Sequence, residues 1–354
     1  MHDSVAADGL VMRWIYRLRD LSPAYFGLVM ATGIVSLAAF MMGHRLVAIS
    51  LFYLNIVQYF VLLALYVLRL WRFPGRFFGD MFTHAVGPGY FTMVAGTGIL
   101  ANQFLILGEN VAIGAAFWGF AVLLWLCLTY TIFTALTIKR DKPTLDKGIN
   151  GGWLLAVVAT QAISVASALL AARIGQPYRL EINLLALSMW LFGGMLYIWL
   201  MSLIFYRYAF FRFSPDDLSP PYWINMGAMA ISTLAGARLA LAAGSLPVLE
   251  QFLPFLKGFS VFYWASGSWW IPLLLVLGVW RHLLRRFPLR YDPLYWSAVF
   301  PLGMYAAATH DLSRALNISF LGWLPPIFLS TAWLAWSLAL VGLLLAGVRL
   351  SGKR

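Results

Sequence analysis

The chain has 354 residues, of which 62% are hydrophobic and 11% charged, and its formal net charge is +12. A soluble chain averages about 45–50% apolar and about 25% charged residues, so this composition describes a polytopic membrane protein and excludes a soluble enzyme with an anchor. The single cysteine, Cys127, rules out an intramolecular disulfide and any cysteine-based metal site; inside an apolar run, it reads as a small core residue.

The first twenty residues, MHDSVAADGLVMRWIYRLRD, are polar and mixed in charge, with no separate apolar stretch and no small-residue cleavage site. They are expected to form a cytoplasmic N-terminal tail over 1–20, or a short interfacial helix. A single transmembrane domain over 21–349 and a C-terminal tail over 350–354 are expected to follow. Ten apolar runs last about 20 residues or more, enough to cross about 30 Å of hydrocarbon as helices. They lie at 22–42, 46–68, 88–107, 111–137, 152–172, 182–206, 221–244, 257–280, 294–313 and 324–348. The alternating segments of about ten residues that mark an outer-membrane barrel do not occur.

Lys and Arg divide unequally between the two ends of these runs. With the N-terminus in the cytoplasm, 19 fall on that side and 6 on the other. This positive-inside bias predicts that both termini are cytoplasmic. The basic excess is then a topology signal and not a footprint for nucleic acid.

The odd-numbered runs share a start. They open Pro23-Ala-Tyr25-Phe26, Pro88-Gly-Tyr90-Phe91, Asn150-Gly-Gly152-Trp153 (a degenerate copy), Pro220-Pro-Tyr222-Trp223 and Pro293-Leu-Tyr295-Trp296. The steps between starts are 65, 62, 70 and 73 residues, a near-constant period that marks repeat architecture. Pro fits a first helical turn, where its missing N–H costs nothing, and Tyr and Trp suit the membrane interface. Each unit reads as one helical hairpin. Ten residues after the Pro position come Gly33, Gly98, Thr160, Ala230 and Gly303, all small, which lets helices approach closely. The even-numbered runs carry bulkier faces. The expected fold is all-α and integral to the membrane, with ten transmembrane helices as five hairpins in quasi-fivefold arrangement and the odd helices lining a central pore. The same pattern also fits a close-packed bundle with no passage.

Seven residues after the Pro position stand Met30, Ala95, Val157, Gly227 and Phe300; the first four, with Gly33, Gly98, Thr160, Ala230 and Gly303, are the candidate pore-lining residues. By helix rise this layer lies on the order of 10 Å into the membrane. Its one large ring, Phe300, precedes Pro301, which bends a helix by removing a backbone hydrogen bond. Phe300 is a candidate plug; a core or lipid-facing Phe is the alternative. The mid-span regions lack Asp and Glu, which argues against a cation path or a proton relay. Ser36, Asn102, Ser164, Ser167, Ser232 and Thr233 are candidate polar contacts for a passing anion, or packing hydrogen bonds. Arg238, Arg314 and His310 form a candidate outer vestibule, or the two arginines snorkel to the interface, with His310-Asp311 as a proton-sensitive pair or a local hydrogen bond. Nucleophile, zinc-protease and nucleotide-binding motifs are absent, so neither an enzyme nor a cofactor or metal site is expected.

The strings MATGIVSLA, VAGTGILA and VFPLGMYAAAT, with the five hairpins, resemble the tellurite-resistance/dicarboxylate transporter family over roughly residues 20 to 350. That family includes plant guard-cell slow anion channels, a bacterial tellurite-resistance channel homologue, yeast malate transporters and sulfite efflux pumps. The resemblance implies a homotrimer in the plasma (inner) membrane, each protomer with its own pore closed by a Phe of the ninth span. Phe300 and Pro301 match that gate. The function so implied is an anion channel for small inorganic or organic anions. The alternative is a proton-coupled carrier of C4-dicarboxylates such as malate, or of sulfite.

Overall fold

The computed structural model describes residues 15–245, 247–289 and 291–351, and no strand occurs among them. The first fourteen positions of the expected N-terminal tail and the last three of the C-terminal tail lie outside the described residues. In chain order the long helices are α1 (Gly27–Met41), α2 (Arg45–Arg72), α3 (Phe91–Ile106), α4 (Val111–Ile138), α5 (Leu155–Ala171), α6 (Arg179–Phe210), α7 (Ile224–Ala242), α8 (Leu253–Val279), α9 (Trp296–Leu316) and α10 (Leu324–Ser351). The odd-numbered helices have 15 to 21 residues and the even-numbered ones 27 to 32.

Eight helical stretches are long and apolar enough to cross a membrane, so the chain is a multi-pass membrane protein. The sequence reading counts ten. The two that fall short are α3, which carries Asn102 and Gln103, and α9, which carries His310, Asp311 and Arg314. Burial separates the two sets. In the odd-numbered spans Pro23–Met41, Gly151–Ala171 and Pro220–Ala242, 83%, 94% and 89% of the apolar window is buried, against 17–50% in the even-numbered ones. The even helices therefore present apolar side chains outward, to lipid or to neighbours. Cys127 lies on such a face of α4 and is exposed, which corrects its reading as a core residue: the helix around it is apolar on all sides, so sequence alone does not distinguish its faces.

Each odd helix begins with a 3-10 turn, at Pro23–Phe26, Gly87–Tyr90, Gly151–Leu154, Pro220–Trp223 and Pro293–Tyr295. Ser22, Asn150 and Asp292 cap three of these turns by accepting from the backbone two residues on, at 3.3, 2.8 and 2.8 Å. The cap corrects the register of the degenerate copy. Asn150 stands with Ser22 and Asp292, and Gly151, not Asn150, takes the place of the Pro. At the far end of α9, Asn317 adopts a left-handed conformation (φ 55°) and its N–H returns to Arg314 O, closing the helix.

Packing is cyclic. α1 contacts α3, α3 contacts α5, α5 contacts α7, α7 contacts α9, and α9 returns to α1. Each even helix packs mainly on the odd helix before it and secondarily on the odd helix after it, with α10 reaching α1. A side-chain hydrogen bond pins each of these secondary contacts. Tyr59 of α2 pairs with Thr97 of α3 (3.0 Å), Trp125 of α4 with Thr160 of α5 (2.8 Å), and Trp190 of α6 with Ser232 O of α7 (2.8 Å). Trp264 of α8 pairs with Thr309 of α9 (3.0 Å), and Trp336 of α10 with Thr32 of α1 (3.0 Å). Water is absent from a hydrocarbon core, so a polar group there needs such an internal partner.

Candidate functional site

A cavity of about 20 Å³ lies where the five odd helices converge, with lining residues from every one of them. Counted from Pro23, Pro88, Pro220 and Pro293, the lining positions recur. Eleven residues on are Ile34, Ile99, Ile231 and Met304; fourteen on are Leu37, Asn102, Leu234 and Ala307; eighteen on are Met41, Ile106 and Arg238. In α5, Val165 and Leu169 keep this register when the count starts at Gly151. Steps of three and four residues hold one face of a helix, so each odd helix turns one stripe to the cavity. The space suits about one water molecule, and its wall is almost wholly apolar.

Phe300 is fully buried and lies four residues before Met304, on the same helical face and about 6 Å nearer the Pro-Tyr end. It does not face lipid. Met30, Ala95 and Val157 are also buried. The small residues of the next layer sit at helix–helix contacts. A side chain at Gly33 would meet Ile99 and Asn55, one at Gly98 would lie 3.2 Å from Ala162 Cβ, and one at Gly303 3.2 Å from Ile34 and Val35. Gly227 faces Pro301, with 2.7 Å between its Cβ position and Pro301 Cγ. Thr160 accepts from Trp125, and Ala230 is buried where α8 packs on α7.

Most of the expected polar contacts are committed elsewhere. Ser36 donates to Ala48 O and Ser164 to Ala186 O, both at 2.7 Å, tying an odd helix to the following even one. Ser232 and Thr233 donate to their own helix, and Ser167 accepts from Trp118. Asn102 alone among these six lines the cavity.

At the far end the structure gathers Arg238, His310 and Arg314 around a residue the sequence reading placed at a span end, Asp311. Its side chain is fully buried, with Arg238 Nε at 2.5 Å, His310 Nδ1 at 3.1 Å and Arg314 Nη1 at 3.9 Å. The helical count explains the meeting: Asp311 stands eighteen residues after Pro293, level with Arg238 on the neighbouring helix. His310 and Arg314 also line a wider outer recess of about 700 Å³, which shares Met41 with the inner cavity.

The Pro-Tyr end holds a second device that charge counting missed. Arg69 and Arg207, near the ends of α2 and α6, are buried. Arg69 pairs with Asp80 and donates to Tyr90 Oη at 3.1 Å; Arg207 pairs with Asp217 at 2.8 Å and reaches Tyr222 Oη. Each thus anchors the Tyr of the following start motif. Burial works to raise the Asp217 carboxyl, but hydrogen bonds from Ser214 and the Arg207 charge outweigh it and hold the pKa below the ordinary value. Two of the basic residues on this side are therefore already neutralised. Among the described residues no group of His, Cys, Asp and Glu is arranged to hold a metal ion.

Comparison with known proteins finds similarity to membrane transport proteins. A family model described as voltage-dependent anion channel matches residues 20–344. An uncharacterized transporter of Methanocaldococcus jannaschii is 24% identical over 316 residues, covering 87% of this chain and 88% of that one. An uncharacterized membrane protein of Mycobacterium tuberculosis is 37% identical over 157 residues, 42% of this chain and 75% of that one. A sulfite efflux pump of Trichophyton rubrum is 21% identical over 350 residues, 92% and 90% of the two chains.

Proposed function

Because this chain belongs to the voltage-dependent anion channel family, we propose that it conducts small anions along the axis of its five odd helices and that Phe300 closes the path. The observation that carries the reading is the cavity to which every odd helix contributes, with fully buried Phe300 one turn before Met304 on the same face. In this reading α3 and α9 also cross the membrane. The five hairpins form a quasi-fivefold barrel, with both termini in the cytoplasm of a cell bounded by the inner membrane. Three copies assemble, each with its own conduit.

The chemistry is passive. A large ring at Phe300 and the narrow apolar wall beyond it stop ions from passing along the resting path. Rotation of the ring beside the bend at Pro301 opens it. Pro301 seats against Gly227, whose lack of a side chain leaves α9 room to lie close to α7. The basic majority on the Pro-Tyr side, with Arg238 in the cavity wall and Arg314 in the recess beyond it, favours anions over cations at both mouths.

Chloride and nitrate currents across a planar bilayer test this. Wild type is expected to be nearly silent and Phe300→Ala to conduct continuously. Silence in a folded Phe300→Ala protein refutes the gate. A second reading, a proton-coupled carrier of sulfite or of C4-dicarboxylates such as malate, is favoured by buried Asp311 beside His310. It predicts uptake into vesicles that follows an imposed pH gradient and no steady current in the Phe300 variant.

A further inference from the structure

The cavity wall has only two polar side chains among the described residues, Asn102 and Arg238. Asn102 is 96% buried (4% exposed), and its Oδ1 has no hydrogen-bond partner. An unpaired amide in an apolar enclosure is unfavourable, and rotation about its terminal bond presents either the carbonyl or the NH2 to the cavity. Arg238 Nε lies 2.5 Å from Asp311 Oδ2, yet neither atom makes a hydrogen bond, and none from Arg238's two terminal nitrogens is found among the described residues. Around Asp311 two guanidinium groups, Arg238 and Arg314, face one carboxylate. These three side chains together carry one net positive charge, held between Arg238 (20% exposed) and Arg314 (62% exposed) on the solvent side of the buried carboxylate.

We propose that Arg238 and Asn102 form a coordination site for one small monovalent anion inside the cavity, with Asp311 as the internal counterion against which the anion competes. The ligand is of halide or nitrate class. The terminal nitrogens of Arg238 and the amide N–H of Asn102 supply donors from α7 and α3, on opposite sides of an otherwise apolar wall. A single negative charge brings the cluster to neutrality, whereas a dianion overshoots it. The resting cavity admits a particle of about the size of one water, so a chloride that has shed its hydration shell enters more readily than a bulky anion. The arrangement converts a dehydrating passage into one with a single site of moderate affinity. Its physiological role rests on the conduit reading; its existence does not.

The test is anion-dependent thermal unfolding of the purified full-length protein in detergent, with chloride, nitrate or sulfate replacing gluconate at constant ionic strength. A ligand at free concentration L that binds only the native state stabilises it by RT ln(1 + L/Kd), so the rise of Tm with concentration gives Kd. Chloride and nitrate are expected to raise Tm logarithmically above their Kd, and sulfate is not. The double variant Arg238→Gln/Asp311→Asn, which removes the ion pair as a unit, is expected to raise the fitted Kd at least tenfold. Asn102→Ala is expected to raise it several-fold, while Asp311→Asn alone lowers it about tenfold. An unchanged Kd in the double variant overturns the site, as does a wild type without anion-specific stabilisation. Equal binding of sulfate overturns the monovalent assignment. If the double variant does not fold, Asn102→Asp, which sets a carboxylate in the cavity, serves instead and is expected to abolish the chloride effect; its persistence overturns the site. Chloride binding in a protein that passes no current, even as Phe300→Ala, refutes the conduit and leaves the site standing.

Discussion

Gly227→Ala is the substitution in which the packing of the fold and the state of the gate are most closely joined. The Cβ position at Gly227 lies 2.7 Å from Pro301 Cγ, 3.1 Å from Pro301 Cβ and 3.4 Å from Pro301 Cα. Ordinary carbon–carbon contact is about 3.5–4.0 Å, so α7 and α9 must separate by roughly 1 Å at this level to admit the methyl group. The proline ring has no flexible end that turns aside, and the strain therefore falls on the helix pair. Overpacking of a dense interior costs about 1–3 kcal/mol, which corresponds to a fall of a few degrees in Tm. Phe300 precedes the displaced residue, so the same shift moves its ring from its resting place. The expected result is a lowered Tm together with a basal chloride leak from proteoliposomes, read with a chloride-sensitive dye. A Gly98→Ala control, whose Cβ meets Ala162 Cβ at 3.2 Å away from α9, is expected to lower Tm with no leak. A Gly227→Ala protein that melts and seals like wild type refutes the coupling of the gate to the seat of Pro301 against α7.

Other outcomes follow from the same contacts. Trp125→Phe removes the hydrogen bond to Thr160 that pins α4 to α5; a loss of about 0.6–2 kcal/mol is expected by reversible denaturation in mixed micelles, and no change would remove these pins from the account of stability. The Asp217 pKa lies below its ordinary 3.8 in the folded protein. Its contribution is therefore complete above that value and lost as pH falls through the folded pKa. Tm measured down to pH 3 is expected to drop more steeply for wild type than for Asp217→Asn, and parallel curves would contradict the pairing with Arg207. Arg69→Met leaves Asp80 without its partner and Tyr90 without its donor; breaking a pair with a buried member costs about 3–5 kcal/mol, read as poor yield and a low Tm, partly restored by Arg69→Met/Asp80→Leu.

The repeat was legible in sequence because each copy has to begin a helix at the same interface, and that task selects Pro and an aromatic residue within four positions. The inside–outside order of helices was legible too, since bulk and small residues divide between the two sets. The lining register was less so. An apolar helix buried on all sides carries no hydrophobic contrast between its faces, so Gly33 and Ile34 look equally able to face an axis. What separates them is contact: Gly33 is where Ile99 of the neighbouring helix approaches. The one-residue shift in α5 was hidden for a related reason. Asn150 caps the turn instead of beginning it, and cap and Pro position are interchangeable to the eye when Pro is replaced by Gly. Asp311 reads from sequence only as a partner of His310, because Arg238 is 73 residues away in the chain, and only the juxtaposition of α7 and α9 brings them to one level.

The central claim is that a conduit for anions runs through the ring of odd helices and that a benzyl group shuts it. Its most direct test is the reversal potential of Phe300→Ala in a bilayer bathed in a tenfold potassium chloride gradient. The account predicts steady current reversing close to the chloride equilibrium potential, about 59 mV from zero. Reversal near the potassium potential, or no current from protein that is folded and inserted, would contradict it.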